Sequence, residues 1–452
     1  MMFTKILIAN RGEVAVRVIR ACKEMGIRTV AVYAEADADA LHAGFADESY
    51  CIGPAPVKDS YLNMEAILTV ATRTGCQAIH PGYGLLSENA EFAEACAAAG
   101  VVFIGPDADT IRRMGDKNQA RRTMKAAGVP VIEGSEILTS ADEARRVAAE
   151  VGYPVLLKAR SGGGGRGIRP VYTDGEMEQA FVTASAEAKT SFGDDALYIE
   201  RYLRDVKHVE VQILGDKTGR VLTLSDRDCS VQRRKQKLVE ECPAPGLDGE
   251  TRRALHDAAR RAAEAVGYYT VGTVEFLLSE DGRFYFMEMN TRLQVEHSVT
   301  EMATGIDLVK WQIRTAAGLP IGFSQEDVQL KGHAMECRIC AEHPYDHTPS
   351  CGEISILHVP GGPDVRFDSA IYQNYVVPPY YDSMLGKLIV CSKTREEAIR
   401  KMRTALSELV IHGLVHNSDL HLDILSLPAF KDGSYTTGVL EGRKDSGEPR
   451  RP

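Results

Sequence analysis

Residues 1 to about 115 alternate between short apolar runs and helical spacing, and this alternation limits the fold more than any single motif does. Residues 5–9 read KILIA and suit a strand. Residues 13–25 carry helical spacing and stop at Gly26, and 29–33 read TVAVY, a second strand. The same rhythm predicts a helix over 62–74, a strand over 77–80, a helix over 89–99 ended by Gly100, and a strand over 101–104. Strands alternating with helices over short connections predict an α/β fold with a doubly wound parallel sheet. The first strand–helix turn, Ala9-Asn10-Arg11-Gly12-Glu13, has a single glycine. It lacks G-x-G-x-x-G, so a dinucleotide reading is weak.

A second constraint lies in residues 271–301, VGTVEFLLSEDGRFYFMEMNTRLQVEHSVTE. Strand-like runs at 271–278 and 283–290 flank the turn residues Ser279-Glu280-Asp281-Gly282 and predict a hairpin. In that register Glu275 lies opposite Phe286. Glu275, Phe286, Glu288 and Asn290 then share one face, with Glu275 and Glu288 as diagonal neighbours. Two carboxylates so close repel unless a cation or a proton intervenes. An all-oxygen set that includes an Asn carbonyl suits Mg2+ rather than zinc. A solvated strand face is the commoner fate of such acids. Against it, the strand runs directly into Arg292, Gln294, Glu296 and His297.

Composition excludes several function classes. A net charge of −10 gives no footprint for nucleic acid or an anionic membrane. No run of about 18 apolar residues exists, and the start has too short an apolar run for a signal peptide. Ten scattered cysteines read as reduced thiols. The expectation is a cytoplasmic protein with neither nucleic acid nor membrane as partner. Its length of 452 residues allows about three domains.

Beyond residue 115 the pattern changes. A helix containing Lys117 leads to a strand at 154–158, which ends in Arg160-Ser161 and four consecutive glycines, Gly162 to Gly165, before Arg166. Such a run frees backbone N–H groups to wrap an anion, although the G-K-[ST] ending of a Walker A loop is missing. The stretch Gln232-Arg233-Arg234-Lys235-Gln236-Lys237 reads as a solvated basic patch or a pocket for a small anion. Strands are predicted at 196–203, 208–214, 221–224, 333–340, 353–359, 365–367 and 387–391. Helices are predicted at 174–190, 249–266, 308–317 and, as the last, 396–409. The end reads as an α+β domain whose sheet packs on the preceding one. Cys337-Arg338-Ile339-Cys340 has no second cysteine pair at zinc-site spacing and reads as structural.

Several stretches taken together resemble the biotin carboxylases of the ATP-grasp superfamily. They are Ile8-Ala9-Asn10-Arg11-Gly12-Glu13, His80-Pro81-Gly82-Tyr83-Gly84, Met114-Gly115-Asp116-Lys117, the tetraglycine run, Arg227-Asp228-Cys229-Ser230, Glu288-Met289-Asn290-Thr291-Arg292, Glu336-Cys337-Arg338-Ile339 and Pro378-Pro379-Tyr380-Tyr381-Asp382. The resemblance implies a pre-ATP-grasp domain at 1–115 and an ATP-grasp domain at 116–330 with a mobile lid at about 130–205. It further implies a C-terminal domain at 331–440; the charged tail 441–452 reads as disordered.

The implied chemistry uses ATP and bicarbonate to form carboxyphosphate, and then carboxylates biotin on a carrier protein. By motif position, Lys117, Lys158, Gly164, Gly165 and His208 bind ATP, and Glu200, Arg201, Tyr202 and Leu203 form the adenine hinge. Glu275, Glu288 and Asn290 hold Mg2+, with Mn2+ as a substitute; the two acids also belong to the ATP site. Lys237, Arg292, Gln294 and Val295 cradle bicarbonate, where a planar anion suits an Arg fork and a Lys point charge. Glu296 is the general base. Arg338 binds biotin and stabilises its enolate.

Lys235 stands where the family usually has His or Asn, and Cys340 where it has Asn; neither departure removes a catalytic residue. The sequence carries no Met-Lys-Met biotin-attachment motif. The implied partners are therefore a separate biotin carboxyl carrier protein and carboxyltransferase subunits, with a homodimer as the common assembly. The implied parent is an acetyl-CoA carboxylase, in fatty acid synthesis, with propionyl-CoA or pyruvate carboxylase as alternatives. Another ATP-grasp ligase is the further rival.

Overall fold

The computed structural model describes residues 2–161 and 167–441. Its first unit is a five-stranded, all-parallel sheet in the order Glu48–Cys51, Arg28–Tyr33, Lys5–Ile8, Ala78–His80, Val102–Phe103. Successive residues of its central strand enter different cores. Ile6 and Ile8 pack on one side, with Val14, Val18 and Ile313, while Leu7 packs on the other, with Val30, Ile67 and Phe92. Both faces are covered, which explains why the strands read as continuous apolar runs rather than alternating ones. The edge strand Glu48–Cys51 escapes the sequence pattern because it is largely exposed and carries no apolar run.

The second sheet has eight strands, all antiparallel to their neighbours. Their order is Phe284–Asn290, Thr270–Leu278, Lys207–Gly215, Val221–Arg233, Gln236–Cys242, His333–Cys340, Met384–Ser392, Val365–Ser369. This corrects the expected arrangement of the C-terminal part. Its strands do not form a sheet packed on the preceding one; they continue it, through Val239 opposite Cys337 and Glu240 opposite Glu336. The basic stretch at 232–237 turns the hairpin that makes this possible. Arg234 and Lys235, at its tip, both have positive φ, as a two-residue hairpin turn requires.

The strand pair 270–290 also differs from expectation. Phe286 pairs with Phe276, and Glu288 lies directly opposite Glu275, because the register shifts between Glu275 and Phe276 and leaves Met287 as an extra residue. Both phenylalanines are buried in the core beneath the helix Gly249–Ala265. The bulge lets one strand satisfy that core while turning Glu288 to the other face.

The expected run at 353–359 is two strands. Gly352–Glu353 pairs with Val376–Val377, and Ile356–His358 with Val410–His412. The helix Arg395–Glu408 is not the last, since Ser418–Ile424 and Pro428–Asp432 follow it. Cys337 is buried and Cys340 partly so, and all ten cysteines are free. A separate three-stranded sheet, in the order Ile168–Val171, Val155–Ala159, Leu197–Arg201, carries the helices Ala141–Val151 and Met177–Phe192. The tetraglycine run and residues 442–452 lie outside the described residues. Among the described residues no helix is long and apolar enough to cross a membrane.

Glu241 ties the C-terminal helices to the central sheet. Its fully buried carboxylate accepts from Arg395 at 2.7 and 2.8 Å and from Tyr435 Oη at 2.6 Å, and it lies 2.7 Å from His333 Nε2. Burial opposes ionisation, but hydrogen bonds from His333 and Arg395 overcome it and hold the carboxyl at about 2, against 4.5 in the unfolded chain. The folded pKa is depressed, so the stabilisation is present above pH 4.5 and is lost as pH falls from there through 2. At neutral pH it amounts to roughly 3 kcal/mol. Glu241→Gln should therefore be less stable than the parent at pH 7, and the difference should shrink between pH 5 and 2 in denaturant titrations.

Candidate active site

The site lies on one face of the eight-stranded sheet and on the loop 291–296 that leaves its edge. At its centre the ammonium of Lys237, on Gln236–Cys242, meets three carboxylates: Glu296 at 2.6 Å, Glu210 at 2.8 Å and Glu275 at 3.1 Å. Burial alone would discharge Lys237, but these acids outweigh it and hold the group well above its ordinary range. Conversely, burial raises Glu296 while Lys237, Arg338 and Arg227 pull it down further, so it is firmly ionised.

Arg338, on His333–Cys340, donates to Glu296 at 3.0 Å and to Glu240 at 2.6 Å. Sheet continuity creates this arrangement, since Glu240 and Arg338 occupy paired strands. Arg292 donates to Glu88 at 2.8 Å and to the Asn290 side-chain oxygen Oδ1 at 3.0 Å. Gln294 donates to Glu275 at 2.6 Å and accepts from Arg227 at 2.6 Å. The Val295 carbonyl accepts from Lys387 at 2.6 Å.

Glu275 also meets His208 Nε2 at 2.8 Å and accepts from Asn290 at 2.8 Å. Burial disfavours its charge, yet Lys237 and His208 prevail and keep the carboxyl low. Glu288 is solvent-exposed, and its carboxyl is raised by desolvation from the groups around it and then by the charge of Glu275 opposite. A second cation would relieve that pair. Two carboxylates and the Asn290 amide are oxygen-bearing groups that could hold a hard cation such as Mg2+, once Asn290 turns its oxygen from Arg292 towards the acids. The acids Glu210, Glu275 and Glu296 could also converge on a metal, but the Lys237 ammonium already sits among them.

Lys117 begins the helix Lys117–Ala126. Burial lowers it, and Lys158 adds to this against the pull of Glu288, so the two lysines and the acid share one electrostatic neighbourhood. Lys235 is lowered by burial and then by the same two lysines. Lys158 pairs with Glu200 across the small sheet. The Arg201 and Tyr202 amides donate to Glu133 and Pro154 carbonyls at 2.8 and 3.0 Å, so of the stretch 200–203 those two donors are committed internally. Gly164 and Gly165 lie outside the described residues.

Sequence reasoning gave no role to Glu88, Glu210, Arg227 or Glu240. Arg227 is fully buried and donates to Glu210 at 2.5 Å, Gln212 at 2.6 Å, Gln294 at 2.6 Å, Thr300 at 2.9 Å and Thr273 at 3.1 Å. The available signal was a charge inside an apolar strand, as with Glu210 between Val209 and Val211. Such a charge is buried only when paired.

Three family descriptions match in sequence. Residues 2–111 match the biotin carboxylase N-terminal domain, 116–323 the ATP binding domain of the carbamoyl-phosphate synthase L chain, and 336–442 the biotin carboxylase C-terminal domain. Biotin carboxylase 1 of Bacillus subtilis is 54% identical over 97% of this chain and 98% of its own length. A crystallised biotin carboxylase–β,γ-ATP complex from Campylobacter jejuni superposes with a TM-score of 0.94 at 49% identity, covering 97% of this chain and 98% of that one. The biotin carboxylase domain dimer of Hydrogenobacter thermophilus 2-oxoglutarate carboxylase, in complex with MgADP, ADP and bicarbonate, gives 0.93 at 49% identity, covering 98% of each chain. The chain belongs to the biotin carboxylase family, ATP-grasp ligases that carboxylate biotin with ATP, Mg2+ and bicarbonate.

Replacing Arg227 with Met would leave Glu210 short of a partner and Gln294 without its donor. Arg227→Met should lower stability by about 3–5 kcal/mol, the range for one half of a buried ion pair, read as a shift in the denaturant unfolding midpoint. An unchanged midpoint would show that the network carries no stability.

Proposed function

We propose that Glu296 is the base that deprotonates bicarbonate, and that the surrounding cations pass from it to the reacting anions. The convergence of Lys237 and Arg338 on the two oxygens of this one buried carboxylate carries the reading. Lys237, Arg292, Gln294 and Val295 hold bicarbonate beside that base. Lys117, Lys158 and His208 face the ATP phosphates, with Gly164 and Gly165 over them. The base edge is read by backbone between Glu200 and Leu203, and with the Arg201 and Tyr202 amides engaged elsewhere, recognition falls to carbonyls and to Leu203. Glu275, Glu288 and Asn290 hold Mg2+, which supplies charge neutralisation at the phosphates. Arg338, oriented by Glu240, stabilises the biotin enolate that takes up the carboxyl group.

The roles divide among units at 1–115, 116–330 and 331–440, with 130–205 closing as a lid over ATP. The separate small sheet that bears Lys158 supports this division. We take the parent to be an acetyl-CoA carboxylase, with a separate biotin carboxyl carrier protein and carboxyltransferase subunits as partners and a homodimer as the assembly. The 54% identity to biotin carboxylase 1 of Bacillus subtilis supports the biotin carboxylase half-reaction, and ten free cysteines support a cytoplasmic location. Malonyl-CoA formation on mixing with an acetyl-CoA carboxylase carrier and transferase tests the parent.

The half-reaction itself is tested by bicarbonate-dependent ATP hydrolysis, which free biotin should stimulate; no biotin effect would return the chain to a general ATP-grasp ligase. Glu296→Gln should bind ATP normally and lose turnover by about 10²–10⁴-fold. Persistent turnover in that variant would remove Glu296 from its role.

A further inference from the structure

Lys387 is fully buried, on the strand Met384–Ser392, and takes no part in the Glu296 network. Its ammonium sits where three parts of the chain meet. It lies 3.4 Å from Glu13 Oε1, on the helix Gly12–Glu24, and 4.0 Å from Asp368 Oδ2, on Val365–Ser369. Its shortest contact is the 2.6 Å hydrogen bond to the Val295 carbonyl.

The neighbouring acids do not account for that placement equally. Asp368 is already held by Arg366 through two bonds, at 2.6 and 2.8 Å. Glu336, on the adjacent strand, has neither oxygen hydrogen-bonded among the described residues. Burial raises its proton affinity against the pull of Lys387, and Glu240 adds to the rise. Glu13, which also accepts from Tyr83, is the acid nearest the ammonium.

Burying an ion pair gives little stability over apolar packing, so the feature that needs a cation here is the grip on Val295. Residues 291–296 belong to neither helix nor strand, and no ladder fixes their backbone. A peptide unit is planar, so fixing the Val295 C=O also fixes the unit that joins Val295 to Glu296. That sets the direction in which Glu296 leaves the loop.

We propose that Lys387 is a positioning residue for bicarbonate use, holding the Val295–Glu296 peptide from the strand beside the one that bears Arg338, its direct cross-strand partner. The proposal rests on the assignment of bicarbonate to Arg292–Val295. Lys387→Met should raise the KM for bicarbonate by about 10- to 100-fold, the scale of a misplaced reacting group, with the KM for ATP within twofold of the parent. The single variant leaves Glu13 uncompensated and should also lower Tm. The double variant Lys387→Met/Glu13→Gln removes that charge, and it should regain the Tm while keeping the raised bicarbonate KM.

Recovery of the bicarbonate KM along with Tm would overturn the proposal, and so would a parallel rise in the KM for ATP. Failure of the double variant to fold would do the same, leaving Lys387 as a strut between domains. Arg292→Ala, measured alongside, separates the two levels. If it too leaves the bicarbonate KM unchanged, the bicarbonate assignment fails; if it alone raises that KM, only the role of Lys387 fails.

Discussion

One ammonium group organises the centre of this protein. Lys237 reaches Glu210, Glu275 and Glu296 within 2.6 to 3.1 Å, and the three acids arise from two different strands and a loop. At an exposed site such contacts would be worth little, because water and salt screen them. Here the carboxylates are buried, the attraction is strong, and removal of the cation would leave three like charges facing one another. Arg227 performs the same service one layer below, fixing Glu210 and Gln294. The geometry around Glu296 is thus held by charge pairing laid across a rigid sheet.

The sheet makes that pairing possible. The strand Gln236–Cys242 has the central strand Val221–Arg233 on one side and His333–Cys340 on the other. Lys237 and Arg338 therefore approach Glu296 from neighbouring strands, although they come from chain segments that sequence patterns assign to different domains. A break in the sheet at that point would separate the residues assigned to bicarbonate from the one assigned to biotin. The continuous backbone ladder keeps them in one frame.

This continuity was the least legible feature of the sequence. Alternation of strand and helix gave the parallel sheet of the first unit, because continuous apolar runs mark strands buried on both faces. The acids on the 270–290 hairpin were legible from strand parity, but their direct opposition was not, since a bulge at Met287 leaves no local signal. Pairing between Val239 and Cys337 is decided by tertiary packing and has no signature in either segment. Glu210, Arg227 and Glu240 were overlooked because a charge within a strand reads as a solvent-facing residue until its partner is known. The family resemblance named the site residues, but the charges that pair with them, Glu88, Glu210, Arg227 and Glu240, came only from the coordinates.

The charge balance also bears on how such a site avoids wasting its base. A carboxylate clamped by Lys237 and Arg338 is stable as an anion and correspondingly a poor proton acceptor. Each clamp is also a group assigned to an incoming anion, Lys237 to bicarbonate and Arg338 to the biotin enolate. Under that assignment, bicarbonate taking a share of the Lys237 ammonium would remove part of the field that depresses Glu296, and its proton affinity would climb next to the proton to be removed. Arg292, now paired with Glu88, and Lys158, now paired with Glu200, stand in the same relation to their own ligands. On this reading the resting enzyme stores its cations on its own carboxylates, and substrate binding is an exchange of partners that makes the base effective only when there is something to deprotonate.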